Sequence, residues 1–212
     1  WSLLDAGATH YLNQSGCVRV AEHDDVAEFG ACVAALDTMG LEQASQDDLF
    51  RFISGLLHLG NVTFVEAEGG LPAAAAEPVT GALATPADTR GLGAAAALLG
   101  LQADDLKAVL TMRKIVTVKG GETETFNAPR DAQNCAYTRD NLTKAAYHTV
   151  FNWVVSFINS RLAGVPADPE QGGLFRGILA IFGFQAFAVK GVEPLLLNFA
   201  NENPQATLHL HV

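Results

Sequence analysis

The chain has 212 residues, 49% of them hydrophobic and 17% charged, a composition that can bury a sizeable core and excludes overall disorder. Thirteen basic against 23 acidic side chains leave a net charge of −10, which argues against nucleic acid or an anionic membrane surface as partner, since both reward clustered Lys and Arg. Cys17, Cys32 and Cys135 are odd in number and lack metal-ligand spacing, so reduced thiols, no disulfide and no metal site are expected.

Asp24 and Asp25 put negative charge where a helix begins, Val26, Phe29, Val33 and Leu36 follow at helical spacing, and Gly40 suits a left-handed end, which predicts the first helix. A second is predicted from Ser45, with Asp48 three residues on as a capping-box-like pair, Leu49, Phe52, Ile53 and Leu56 on one stripe, and Gly60 as its stop. Asn61 to Phe64 reads as a short strand, and Val65 to Asp88, rich in Ala, Gly, Pro and Glu, as a long surface loop. Ala94 to Leu99 and Ala103 to Leu110 read as short helices. Arg113 to Phe126 alternates around Gly120 and Gly121 and reads as a β-hairpin.

The longest predicted element starts near Pro129 and runs to about Ala163, ahead of Gly164 and Pro166. Its stripe is Leu142, Ala146, Val150, Trp153, Val154 and Phe157. A helix more than twice the usual length needs support along that face, so Trp153 is expected in core packing. Val150 to Ile158 is interrupted by Asn152 and Ser156 and is too short to span a bilayer, and no signal peptide is read, so a soluble, intracellular protein without membrane insertion is expected. After the Pro/Gly linker Val165 to Gly173, the apolar run Ile178 to Phe182 reads as a strand buried on both faces. Gly183 then allows a tight turn and close approach of a backbone N–H to an anion, and a last helix starts at about Val192. His58 reads as a structural side chain. His209 and His211, two apart, diverge on a helix and make no metal pair.

YLNQSGC (Tyr11 to Cys17), Asp24, Asp25 and Phe29, FRFISGLLHLGNVTF (Phe50 to Phe64), YTRDNLTKAAYHTVFNWVVSFIN (Tyr137 to Asn159), IFGF (Ile181 to Phe184) and NFANE (Asn198 to Glu202) resemble, in order, the myosin motor-domain family. The resemblance covers nearly the whole chain. It implies a segment running through the upper actin-binding subdomain (1–166), then a buried strand, a switch II-like turn and the start of the relay helix (167–212). The implied fold is mostly α with a few β strands, α+β by content, as an incomplete piece of a P-loop NTPase-type motor head. By the same resemblance, the inherited function is ATP-driven movement on actin filaments in the cytoplasmic cytoskeleton, with Mg-ATP as cofactor of the complete head and the remaining head segments as further partners.

Family switch II reads DIFGFE, in which the glycine N–H meets the γ-phosphate, the Asp supports the magnesium shell and the Glu pairs with an Arg of switch I. Here Gly183 is kept, but position 180 is Ala and position 185 is Gln. Phosphoryl transfer depends mostly on positioning and electrostatic stabilisation, so both changes remove charge where it matters. The 212 residues also contain no GxxxxGK string and no switch I string, so this chain alone is not expected to bind ATP. Pro204 falls where the relay helix continues, which predicts a kink or an end there. The hairpin resembles a family loop that touches actin, and Arg113, Lys114 and Lys119 give it local positive charge suited to an acidic filament. The loop from Val65 to Asp88 also falls at the family's actin face, although Glu66, Glu68 and Glu77 oppose strong attraction. Two rival readings stand beside the motor segment: a non-enzymatic actin-binding or scaffold protein, and a truncated gene product without independent function.

Overall fold

Asp24 accepts hydrogen bonds from the backbone N–H groups of Val26 (3.0 Å) and Ala27 (3.1 Å), and the helix it caps runs from Asp25 to Thr38. In the computed structural model, which describes residues 3–65, 86–119, 122–163, 183–186 and 191–210, this is the second helix. The order is a 3₁₀ turn (Ala6–Ala8), α1 (His10–Asn13), α2 (Asp25–Thr38), α3 (Gln43–Gly60), α4 (Pro86–Leu99), α5 (Ala103–Thr111), β1 (Met112–Lys119), β2 (Glu122–Pro129), α6 (Ala132–Leu162) and α7 (Val192–Leu210). Residues 1–164 form one unit and 165–212 another. The described residues are therefore mostly helical, with one two-stranded antiparallel sheet.

The core of the first unit lies where α3, α4, α5 and α6 meet. Leu59, Val62, Leu92, Ala95, Ala96, Leu106 and Leu110 are buried together, and Phe64, Leu99 and Leu142 pack against them. Fully buried Leu59 and Leu110 each contribute about 2 kcal/mol by leaving water. Small residues set the close spacing of α3 and α4, since a Cβ on Gly55 would meet the Leu99 side chain at 2.9 Å.

A polar network ties the N-terminal turns to α3 and α6. The Tyr11 hydroxyl donates to Asp140 Oδ1 at 2.7 Å and lies 3.3 Å from Thr143 Oγ1. The Arg139 guanidinium is buried, donates to the Val62 carbonyl at 2.7 Å, and pairs with Asp140 Oδ1 through Nε (2.9 Å) and Nη2 (2.8 Å). Asn61 receives the His10 N–H at 2.7 Å and donates to the Ala8 carbonyl at 3.0 Å. Burial pushes the Tyr11 phenol up. Burial also acts to raise Asp140, but hydrogen bonds from Tyr11 and Arg139, with the Arg139 charge, outweigh it and hold the carboxyl below its ordinary value.

Several sequence expectations change. α3 begins at Gln43 rather than Ser45, Glu42 at its N-cap makes no side-chain cap, and Asp48 pairs with Arg51 at 2.8 Å instead of closing a capping box. Residues 61–64 form no strand: the Asn61 and Val62 N–H groups turn back to the His58 and Leu59 carbonyls and Arg139 takes the Val62 carbonyl; Val65 makes an isolated bridge. α4 already starts at Pro86, inside the predicted loop, whose residues 66–85 lie outside the described ones. Pro129 closes β2, and α6 begins at Ala132 after Asp131, whose carboxylate accepts the Asn134 N–H at 2.7 Å. Trp153 is 46% exposed and stacks on Phe157, so its place is on an open face of α6 and not in the core. The α2 stripe is open as well, with Val26 82% exposed and only Leu36 buried. α7 does not end at Pro204 but runs on to Leu210. His58 is buried, as a structural side chain would be.

Candidate functional site: a clamped glycine turn and a basic hairpin

In the second unit, Gly183 has φ +69°, the left-handed conformation that glycine adopts without penalty. Side chains of α7 hold the turn that follows. Asn198 accepts the Gln185 N–H through Oδ1 at 2.8 Å and donates through Nδ2 to the Gln185 carbonyl at 2.8 Å, while Asn201 Nδ2 donates to the Gly183 carbonyl at 2.7 Å. Asn198 and Asn201, three apart on a helix, share one face, so α7 fixes the turn's backbone at three points. A cavity of about 440 Å³ opens beside it, lined by Phe184, Gln185, Pro194, Leu195 and Asn198 among others.

Among the described residues, no heavy atom lies within 4 Å of where a Cβ on Gly183 would stand. Residue 185 is an uncharged Gln, and Ala180 lies outside the described residues, as does the predicted strand 178–182. Among the described residues the side chains bonded to the turn's backbone are the uncharged Asn198 and Asn201. No group of three or more His, Cys, Asp or Glu among the described residues is placed to hold a metal ion. His209 and His211 contribute no described side chain.

In the first unit, β1 and β2 pair from Met112↔Pro129 to Lys119↔Glu122. Arg113 and Lys114 are exposed. Successive strand residues point to opposite faces, so Arg113 and Lys114 do not form one patch. In the backbone register, position 119 pairs with 122 and position 117 with 124. Val116 and Val118 stand exposed on the Lys114 face. The root is different, with Leu110 and Thr111 buried. Asp131 is held below its ordinary value mainly by the Asn134 backbone N–H and side chain, with Arg113 adding a favourable charge.

Sequence reasoning found Gly183 and the hairpin but missed Asn198 and Asn201 as the residues that shape the turn. Their signal was there: two amides three apart interrupt an otherwise apolar helix start, VEPLLLNFAN. It also missed Tyr11, Arg139 and Asp140 as one network, because their pairing spans 129 residues. No helix among the described residues is long and apolar enough to cross a membrane.

Comparison with known proteins places the chain in a family. A family model described as myosin head (motor domain) matches residues 1–212. The chain is 38% identical over 202 residues to the myosin IE heavy chain of Dictyostelium discoideum, covering 95% of this chain and 19% of that protein. It is 34% identical over 203 residues to the Dictyostelium discoideum myosin-I heavy chain, covering 96% and 8%, and 32% identical over 212 residues to myosin-14 of Arabidopsis thaliana, covering 100% and 13%. The chain thus spans less than a fifth of the length of these relatives. With a match along its whole length, a mostly helical first unit and a glycine turn clamped by the last helix, this chain belongs to the myosin head (motor domain) family.

Proposed function

We propose that the chain is a segment of an actin-based motor head, covering the upper actin-binding subdomain (1–166) and a switch II-like turn with the start of the relay helix (167–212), in which the nucleotide switch is degraded while the filament-facing hairpin is retained. One observation carries this reading: the turn keeps its left-handed glycine and its asparagine clamps, but Gln185 stands where a charged gate is needed and Ala180 where an acid is needed. Mg-ATP then belongs to a complete head, where Gly183 contributes a backbone contact, and the setting is the cytoplasmic cytoskeleton. The same two residues favour a second reading, a non-enzymatic myosin-like actin-binding or scaffold protein.

Both readings require the hairpin to touch actin, through local charge and not through the acidic whole. One surface hairpin is smaller than a standard interface, so binding should be weak and salt-sensitive. The test is co-sedimentation with actin filaments at about 20 mM salt, where the Debye length is about 20 Å. Wild-type chain should pellet, and replacing Arg113, Lys114 and Lys119 with Ala should abolish pelleting without changing the circular dichroism spectrum. Failure of the wild-type chain to pellet removes the actin-contact reading for this chain.

A further inference from the structure

The strand register exposes a gap at the hairpin's root, and one side chain fills it. Arg130 donates its N–H to the Thr111 carbonyl at 2.8 Å, which makes Thr111 and Arg130 a hydrogen-bonded pair one step beyond Met112↔Pro129. Bonded and non-bonded pairs alternate in an antiparallel ladder, so the Met112 carbonyl points away from β2 and finds no donor there. Pro129 has no N–H to offer in any case. The Arg130 side chain reaches round and donates Nε–H to the Met112 carbonyl at 3.2 Å. Its own carbonyl accepts from Cys135 Sγ at 3.8 Å, and Cys135 is fully buried in the first turn of α6. Arg130 therefore touches the end of α5, the start of β1 and the start of α6.

We propose that Arg130 is a positioning residue that sets the angle at which the hairpin leaves the helical unit. The arms are exposed, with Val118 72% accessible, so the aim of the hairpin is decided at its root. Eight residues at about 3.4 Å each make an arm of about 27 Å, and an angular slack of about 10° at the root moves the tip by about 5 Å. The functional consequence rests on the actin-contact reading; the positioning itself does not.

The test separates the two. In a chain with Cys17 and Cys32 replaced by Ser, nitroxide labels are placed at Val118→Cys and Asn141→Cys, and the distance distribution is measured by pulsed EPR. The expected result is a single narrow distribution that broadens in both Arg130→Met and Arg130→Lys, since neither supplies a donor at Nε, while the circular dichroism spectrum stays unchanged. Actin pelleting should weaken in both, by at most about tenfold, since the worth of the one root hydrogen bond is the most that its loss can cost. Loss in Arg130→Met with full rescue in Arg130→Lys would mean that Arg130 acts as a charge, and the proposal falls. An unchanged distribution in either folded variant overturns it whatever actin does, as does global unfolding of both, which would make Arg130 a stability residue. A broadened distribution in a chain that never pellets upholds the positioning and sinks only the actin reading.

Discussion

Gly60, the last residue of α3, is buried under the Tyr11 ring: a Cβ there would sit 2.5 Å from Cδ2 and 3.0 Å from Cζ, and closer still to Cε2. Gly60→Ala gains up to about 1 kcal/mol in helix propensity, yet the methyl group must displace the ring. The ring is not free to move, because its hydroxyl donates to Asp140 at 2.7 Å. Overpacking costs about 1–3 kcal/mol, and losing a hydrogen bond to an ionised group costs about 1.5–3 kcal/mol. Asp140 is partly exposed, which favours the lower end of that range. The net expectation is a destabilisation of about 1.5–3.5 kcal/mol, read as a lower urea midpoint by far-UV circular dichroism. The decisive control is the Tyr11→Ala background, where the overlap vanishes and Gly60→Ala becomes neutral or stabilising. An equal cost in both backgrounds would refute the contact as the cause.

Calorimetry of this chain with Mg-ATP should show no binding tighter than about 100 μM, since that needs about 5.5 kcal/mol from a turn without charge; a tighter constant would overturn the reading of the site. Asp140 has its carboxyl lowered in the folded state from 3.8, so its contribution is present above that pH and lost as pH falls through the lower folded value. Asp140→Asn should therefore destabilise at neutral pH, and its difference from wild type should narrow below pH 3.8; a constant difference counts against the ion pair. Asn198→Ala should speed hydrogen exchange of the Gln185 amide by about tenfold, whereas Asn198→Asp, which keeps the acceptor, should not. Equal rates in the two variants would show that the side chain does not hold the turn.

Local signals carried most of the element boundaries. Asp24 and Gly40 marked α2 because a cap and a left-handed glycine act within a few residues, and the alternation from Arg113 marked the hairpin for the same reason. What failed was non-local. Asn61 to Phe64 looked like a strand because Val and Phe favour one, but only the distant Arg139 explains why Val62 gives its carbonyl elsewhere. Trp153 looked like core because a helical stripe shows which residues share a face, not whether anything covers it. The clamped turn was half legible, since Gly183 announces its own conformation while Asn198 and Asn201 acquire meaning only once α7 is folded back beside it.

Pro204 has a consequence for how α7 carries load. With no N–H at position 204, the Ala200 carbonyl loses its intrahelical donor, so the backbone ladder is thinned at one point of a 19-residue rod. Of the side chains that grip the turn, Asn198 lies before the thinned stretch and Asn201 lies inside it. A torque applied at the turn therefore meets its most compliant step between Ala200 and Pro204. α7 is two stiff pieces joined by one soft turn, and the grip of Asn201 sits at the joint.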